Sequence, residues 1–108
     1  MNIHEFEEKA FKASELLKAM SNENRLMILC QLVHEEQSVR DLEAVIGLSQ
    51  SAMSQHLAIL RQNGLVKTRR NAQSIYYSIA AEEPRAVIEA LYNIYANSRC
   101  GESAQEKT

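Results

Sequence analysis

From Ala44 to Ala81 the chain carries no aspartate and no glutamate. All fourteen carboxylate residues lie outside that window, while four of the twelve Lys/Arg residues, Arg61, Lys67, Arg69 and Arg70, lie inside it. The window therefore has a formal charge of +4. The rest of the chain sets eight basic against fourteen acidic residues and stands at −6, so the whole is mildly acidic at −2. A surface built from the window would present only cations and polar groups to a partner. A phosphate backbone favours that pattern, because each Lys or Arg contact releases counterions and each carboxylate would repel.

At 108 residues there is room for one domain. A hydrophobic content of 45% supports an ordinary core, but a core of this size is marginal alone, which favours a dimer. No apolar run reaches the ~20 residues that a membrane span needs. Met1-Asn2-Ile3-His4-Glu5 lacks the basic and apolar regions of a signal peptide. A cytoplasmic protein with no membrane partner is expected, and in that compartment Cys30 and Cys100 do not make a structural disulfide framework. Residues 1–100 are read as the folded domain and 101–108 as a flexible polar tail.

The hydropathy pattern predicts a mainly α chain with a small β-hairpin. Phe6, Ala10, Ala13, Leu17 and Met20 recur at helical spacing over residues 3–20. Ser21 is placed to cap a second helix, with Leu26, Leu29, Cys30 and Val33 as its apolar stripe. His34-Glu35-Glu36-Gln37 reads as a polar turn. Ser38-Val39-Arg40-Asp41 matches a capping box with Asp for Glu, opening a short helix that ends at Gly47 in a left-handed cap. Ser49 caps the next helix, from Gln50 to about Asn63. Two short helices joined by Gly47-Leu48-Ser49 are a helix–turn–helix. Residues 65–70 and 74–79 switch to strand-like runs around the polar turn Arg70-Asn71-Ala72-Gln73, which makes a wing. Pro84 suits the first turn of a last helix, with Val87, Leu91, Ile94 and Tyr95 on one face.

Within residues 50–63, Met53, Leu57 and Leu60 fall on one face and should pack inward. The opposite face presents Gln50, Ser51, Ser54 and Gln55, small or amide side chains that can approach a major groove and bond base edges. Arg61 suits a contact to the DNA backbone. In the wing, Lys67, Arg69, Arg70 and Gln73 complete the expected DNA-binding set, with Arg69 and Arg70 on phosphates or in the minor groove. His56 is expected to be a partly buried, hydrogen-bonded packing residue. The histidines share no metal-ligand spacing with one another or with a cysteine, so no metal site and no cofactor are expected. No nucleophile–base pair, Gly-rich phosphate loop or suitably spaced carboxylate pair points to an enzyme or to catalytic residues.

Four stretches carry a family resemblance: Leu17-Lys18-Ala19-Met20-Ser21-Asn22-Glu23-Asn24-Arg25-Leu26, Leu48-Ser49-Gln50-Ser51-Ala52-Met53-Ser54-Gln55-His56-Leu57, Gly64-Leu65-Val66 and Ile75-Tyr76-Tyr77-Ser78-Ile79. Together they closely resemble the ArsR/SmtB family of winged-helix repressors over about residues 10–97. The resemblance implies a winged helix–turn–helix homodimer held by its first and last helices. Each reading helix would enter one half of an inverted-repeat operator. The family's Cys-Val-Cys metal motif is replaced here by Ser38-Val39-Arg40-Asp41, and residues 84–98 hold no histidine for its last-helix metal site.

Ile28-Leu29-Cys30-Gln31-Leu32 resembles the BigR/SqrR/HlyU-like branch of the family. In that branch a cysteine in the second helix is linked to one on the last helix by oxidants or persulfides, and DNA affinity changes. The resemblance assigns redox sensing to Cys30 and Cys100 and implies that a persulfide or oxidant is the inducer. Cys100 departs from the branch pattern. The branch cysteine directly follows the position of Tyr95, where Ala96 stands, so Cys100 comes four residues, or one helical turn, later. The leading expectation is thus a repressor released by reactive sulfur species or oxidants. The alternatives are a regulator without a thiol switch that displaces another DNA-bound protein, a sensor of a soft metal ion, and a protein-interaction winged helix that does not bind DNA.

Overall fold

The computed structural model describes residues 2–97. Five helices and three short strands follow in the order α1 (Ile3–Met20), α2 (Glu23–His34), β1 (Gln37–Ser38), α3 (Val39–Ile46), α4 (Gln50–Gln62), β2 (Val66–Asn71), β3 (Ser74–Ile79) and α5 (Glu82–Asn97). Their bounds follow local chemistry. Ser38 and Asp41 form the reciprocal capping box, with Asp41 N donating to Ser38 Oγ at 3.1 Å and Ser38 N to Asp41 Oδ2 at 3.4 Å. Gly47 ends α3 at φ +84°, a conformation only glycine adopts without strain. Ser49 Oγ then accepts from Ala52 N and opens α4.

The start of α2 differs from expectation by one residue. Asn22 is the cap, its Oδ1 accepting from Asn24 N and Arg25 N, while Ser21 closes α1. The expected polar turn after α2 is also more ordered than its composition suggests. His34 completes the helix, and Gln37 is buried in β1. Its amide group donates to Gln31 Oε1 at 3.1 Å and to the Gln31 carbonyl at 3.4 Å, which satisfies a group that would be costly to bury unbonded. β1 adds a third strand to the hairpin, so the sheet is antiparallel in the order β1-β3-β2.

The core gathers around α2. Ile28, Leu29 and Leu32 are buried with Leu42 of α3, Met53, Leu57 and Leu60 of α4, and Ile88 of α5. Of the expected stripe of Leu26, Leu29, Cys30 and Val33, Leu29 belongs to this centre while Leu26, Cys30 and Val33 are partly buried around it. A helix packed on several sides buries more than one face. The outer helices are buried at one end each. In α1 only Ala19 and Met20 are buried, and Phe11 stays 77% exposed. In α5 the face expected to pack splits. Val87 and Leu91 are half-buried while Ile94 and Tyr95 are exposed, because the second half of the helix runs past the core.

The tightest constraint on how α4 leaves α3 is Gly47. A Cβ there would meet nothing within 4 Å, so a substitution is penalised through the backbone alone. Gly47→Ala should destabilise the fold by about 1–2 kcal/mol, the cost of a left-handed residue bearing a Cβ. In urea unfolding this appears as a lower midpoint at unchanged slope. A cost several times larger would contradict the open surroundings.

Candidate nucleic-acid interface

The reading helix is set by its buried side. Met53, Leu57 and Leu60 are at most 2% exposed, so α4 can turn only one way on the core. Gln50, Ser51, Ser54, Gln55 and Arg61 are then all exposed, over an arc of roughly 140° at 100° per residue. None of the exposed residues on α4 is acidic. His56 is half-buried on the side of α4 toward α2, with Nδ1 3.3 Å from Arg25 Nη1. Arg25 Nε also donates to the Ala19 carbonyl at 2.6 Å, so one guanidinium ties α1, α2 and α4 together behind the reading face.

Between α3, α4 and the hairpin runs an open groove of about 1060 Å³. Gln50, Ser54 and Arg61 line its helix side and Gln73 its wing side, with Tyr77 also in the lining. The fold thus brings four of the expected residues to one concavity. Ser51 and Gln55 stand farther round the same helix. Arg40 of α3, exposed and lining the same groove, was missed by the sequence reading. It lies outside the carboxylate-free window, between neighbours that include Asp41 and Glu43, and nothing local marks it. Glu43 also lines the groove.

The wing separates the two adjacent arginines. In the antiparallel pairing of β2 with β3, Arg70 faces Ile75, Thr68 faces Tyr77 and Val66 faces Ile79. Directly paired residues share a face of the sheet and successive residues alternate. Arg70 therefore lies on the face of Ile75 and Tyr77, which line the groove. Lys67 and Arg69 lie on the opposite face, with Tyr76 and Ser78 as partners. The hairpin turns through Ala72 and Gln73, with Ala72 at φ +59°, the sign required at the first central residue of a II′ turn.

On that opposite face the fold returns a carboxylate to the basic window. Tyr76 pairs with Arg69 on one side and with Ser38 of β1 on the other. Glu36, two residues before Ser38, is thereby placed across the ring from Arg69. Arg69 Nε and Nη2 donate to the two Glu36 carboxylate oxygens at 2.7 and 2.8 Å, and its guanidinium carbon sits 4.7 Å from the Tyr76 ring centre. These hydrogen bonds hold the Glu36 carboxyl below its ordinary range, with the charges of Arg69 and Lys67 adding to the effect and desolvation opposing it. The same pair raises Arg69. A lowered carboxyl contributes its interaction above the ordinary carboxylate range and loses it as pH falls through the lowered value, so the pair is intact at neutral pH.

Cys30 is a free, half-buried thiol on α2. Its expected partner Cys100, like the expected tail, lies outside the described residues. Among the described residues no group of three His, Cys, Asp or Glu side chains could hold a metal ion, and no helix is long and apolar enough to cross a membrane.

Comparisons with known proteins agree with this architecture. Residues 22–68 match the family described as bacterial regulatory protein, arsR family. The transcriptional activator HlyU of Vibrio cholerae is 50% identical over 98 residues, covering 91% of each chain. Its reduced form has a solved structure that matches at a TM-score of 0.81 and 52% identity, over 84% of this chain and 96% of that one. The transcriptional repressor BigR of Xylella fastidiosa matches at a TM-score of 0.83 and 40% identity, over 87% of this chain and 96% of that one. A homodimeric winged helix-turn-helix domain of a possible ArsR-family regulator from Mycobacterium bovis matches at 0.70 and 31% identity, over 82% and 81%. With its helix–turn–helix, its hairpin wing and these relatives, the chain belongs to the ArsR/SmtB family of winged-helix transcriptional regulators.

Proposed function

We propose that the chain binds an inverted-repeat operator in duplex DNA as a homodimer and represses transcription in the cytoplasm. A persulfide or oxidant would release it by linking Cys30 to Cys100. The observation that carries the DNA reading is the acid-free exposed face of α4, set beside a groove edged by Arg40, Arg61 and the Arg70 face of the wing. Ser51, Ser54 and Gln55 would read base edges, with Gln50 beside them. Arg61, Lys67, Arg69, Arg70 and Gln73 would meet the backbone or the minor groove. A second copy of the chain would cover α1 and α5, where Phe11, Leu17, Tyr92, Ile94 and Tyr95 are each more than half exposed. So much apolar surface on two helices suits an interface. The repressor outcome follows BigR, which is described as a repressor; HlyU is described as an activator.

The switch reading rests on the family resemblance at Cys30 and on the packing of α2 against α5. Arg85 at the start of α5 donates to the Val33 carbonyl of α2 at 3.1 Å, one turn beyond Cys30, which ties the two helices together, and Cys100 follows fifteen residues after Arg85 in the sequence. In the proposed chemistry a Cys30 thiolate attacks the outer sulfur of a persulfide, expelling a thiolate and leaving Cys30 persulfidated. Cys100 then attacks the Cys30 sulfur, and hydrosulfide leaves. Two thiols are oxidised and the transferred sulfur is reduced to sulfide. A second transferred sulfur would give a longer bridge, which suits a cysteine four residues later in the sequence than the branch position. The link would fix α5 against α2 and alter the spacing of the two reading helices, which rigid half-sites do not tolerate.

Two measurements check these assignments. Gln55→Ala should cost about 1–3 kcal/mol on the operator and little on random duplex. By contrast, Arg70→Ala should weaken both alike and flatten the slope of log K on log salt by about two contacts, one from each copy. Equal losses on both duplexes for Gln55→Ala would reduce that residue to a positioning role. For the switch, Cys100→Ser should bind DNA normally and keep it when a persulfide donor is added, whereas the unaltered chain lets go and yields a Cys30–Cys100 product by mass spectrometry. Release by the Cys100→Ser protein would remove Cys100 from the mechanism. A regulator without a two-thiol switch would then stand in its place.

A further inference from the structure

We infer that Glu36 is a stand-in for a DNA phosphate: it occupies Arg69 in the free protein and must be displaced by the backbone, so that it sets the strength of the wing's grip. This rests on the DNA-binding reading above and assigns a role to a residue outside the predicted interface. The geometry carries it. Arg69 offers Nε and Nη2 in parallel to two carboxylate oxygens at 2.7 and 2.8 Å, the fork by which a guanidinium also holds a phosphate. Tyr76 lies under the guanidinium at 4.7 Å, which keeps it flat and extended along the outer face of the wing. Lys67 lies on the same face of β2. Two cations therefore share a surface with one carboxylate that the fold, through β1, delivers from a distant part of the chain.

The balance of effects makes exchange feasible. Arg69 and Glu36 remain 54% and 32% exposed, and ion pairs open to solvent contribute little to stability. A phosphate offers the same two-oxygen acceptor and, on neutralisation, releases condensed counterions, a gain the carboxylate does not provide. The DNA backbone can therefore take Arg69 from Glu36, but its hold is reduced by whatever the carboxylate had supplied. Glu36 acts only by occupying Arg69 and makes no contact with DNA itself. Because it competes for a sequence-independent contact, it lowers affinity for all duplexes by the same factor and leaves base preference unchanged.

The test is a double-mutant cycle on the full chain with a 30-base-pair duplex of arbitrary sequence. Glu36→Gln keeps the shape of the side chain and removes its charge. It should tighten binding about three- to tenfold for each copy in contact with the duplex near 0.1 M salt, the scale of one phosphate contact per copy. In an Arg69→Ala background the same substitution should change binding less than about twofold. A gain of equal size in both backgrounds would show general charge removal and overturn the proposal. A loss of affinity on Glu36→Gln, with thermal unfolding unchanged, would show that the carboxylate aims Arg69 and does not compete for it, and this too overturns the proposal. Glu36→Ser serves as a second variant should Glu36→Gln unfold. If the unaltered chain forms no complex with any duplex, the DNA-binding reading itself falls; a complex that is indifferent to Glu36 removes the present inference alone.

Discussion

The helix face proposed to read DNA is aimed by the burial of one neighbouring helix. Ile28 and Leu29 of α2 are fully buried and Leu32 nearly so. Around them close Leu42 of α3, the inner row of α4 and Ile88 of α5. Each of these side chains contributes about 1.5–3 kcal/mol by leaving water, and together they leave α4 no freedom to roll. The polar arc of α4 points outward because Met53, Leu57 and Leu60 cannot. Arg25, bonded to both the Ala19 carbonyl and His56, adds a directional constraint that apolar packing lacks.

The same economy explains the wing. A two-stranded hairpin is marginal in water, and this one is held by a third strand of only two residues and by the packing of Tyr77 and Ile79 on the core. That third strand has an electrostatic consequence. By pairing Ser38 with Tyr76, it brings Glu36 to Arg69 and so gives one of the wing's cations a resident anion. The groove-facing Arg70 and the clamped Arg69 are sequence neighbours with different surroundings: the alternation of a strand turns them to opposite faces, and β1 supplies the carboxylate on one of those faces.

Much of the fold was legible in the sequence because its determinants are local. Caps at Ser38 and Ser49, the left-handed stop at Gly47 and the period change after Gly64 are each written within a few residues. The reading helix was legible too, since its two faces differ in composition. What escaped reading depends on distant partners. The cap of α2 fell on Asn22 because Ser21 was already engaged in ending α1, and both residues are competent caps. Ile28 and Leu32 were missed because a single-stripe template assumes one buried face. β1 is too short to carry a pattern, and buried Gln37 looks polar until Gln31 is seen beside it. Arg40 reached the interface through the packing of α3. The opposite facing of Arg69 and Arg70, by contrast, was available from alternation alone. Their separation into a clamped and an unclamped arginine was not, since Glu36 lies thirty-three residues from Arg69.

Charge segregation along the chain is proposed to become a phosphate-binding surface in the fold. Salt titration of duplex binding by the intact, reduced chain tests it most directly. If Arg40, Arg61, Lys67, Arg69 and Arg70 of two copies each meet a phosphate, log K should fall linearly with log salt at a slope of roughly −9. A complex whose affinity does not change with salt, or no complex at low salt, would contradict the account.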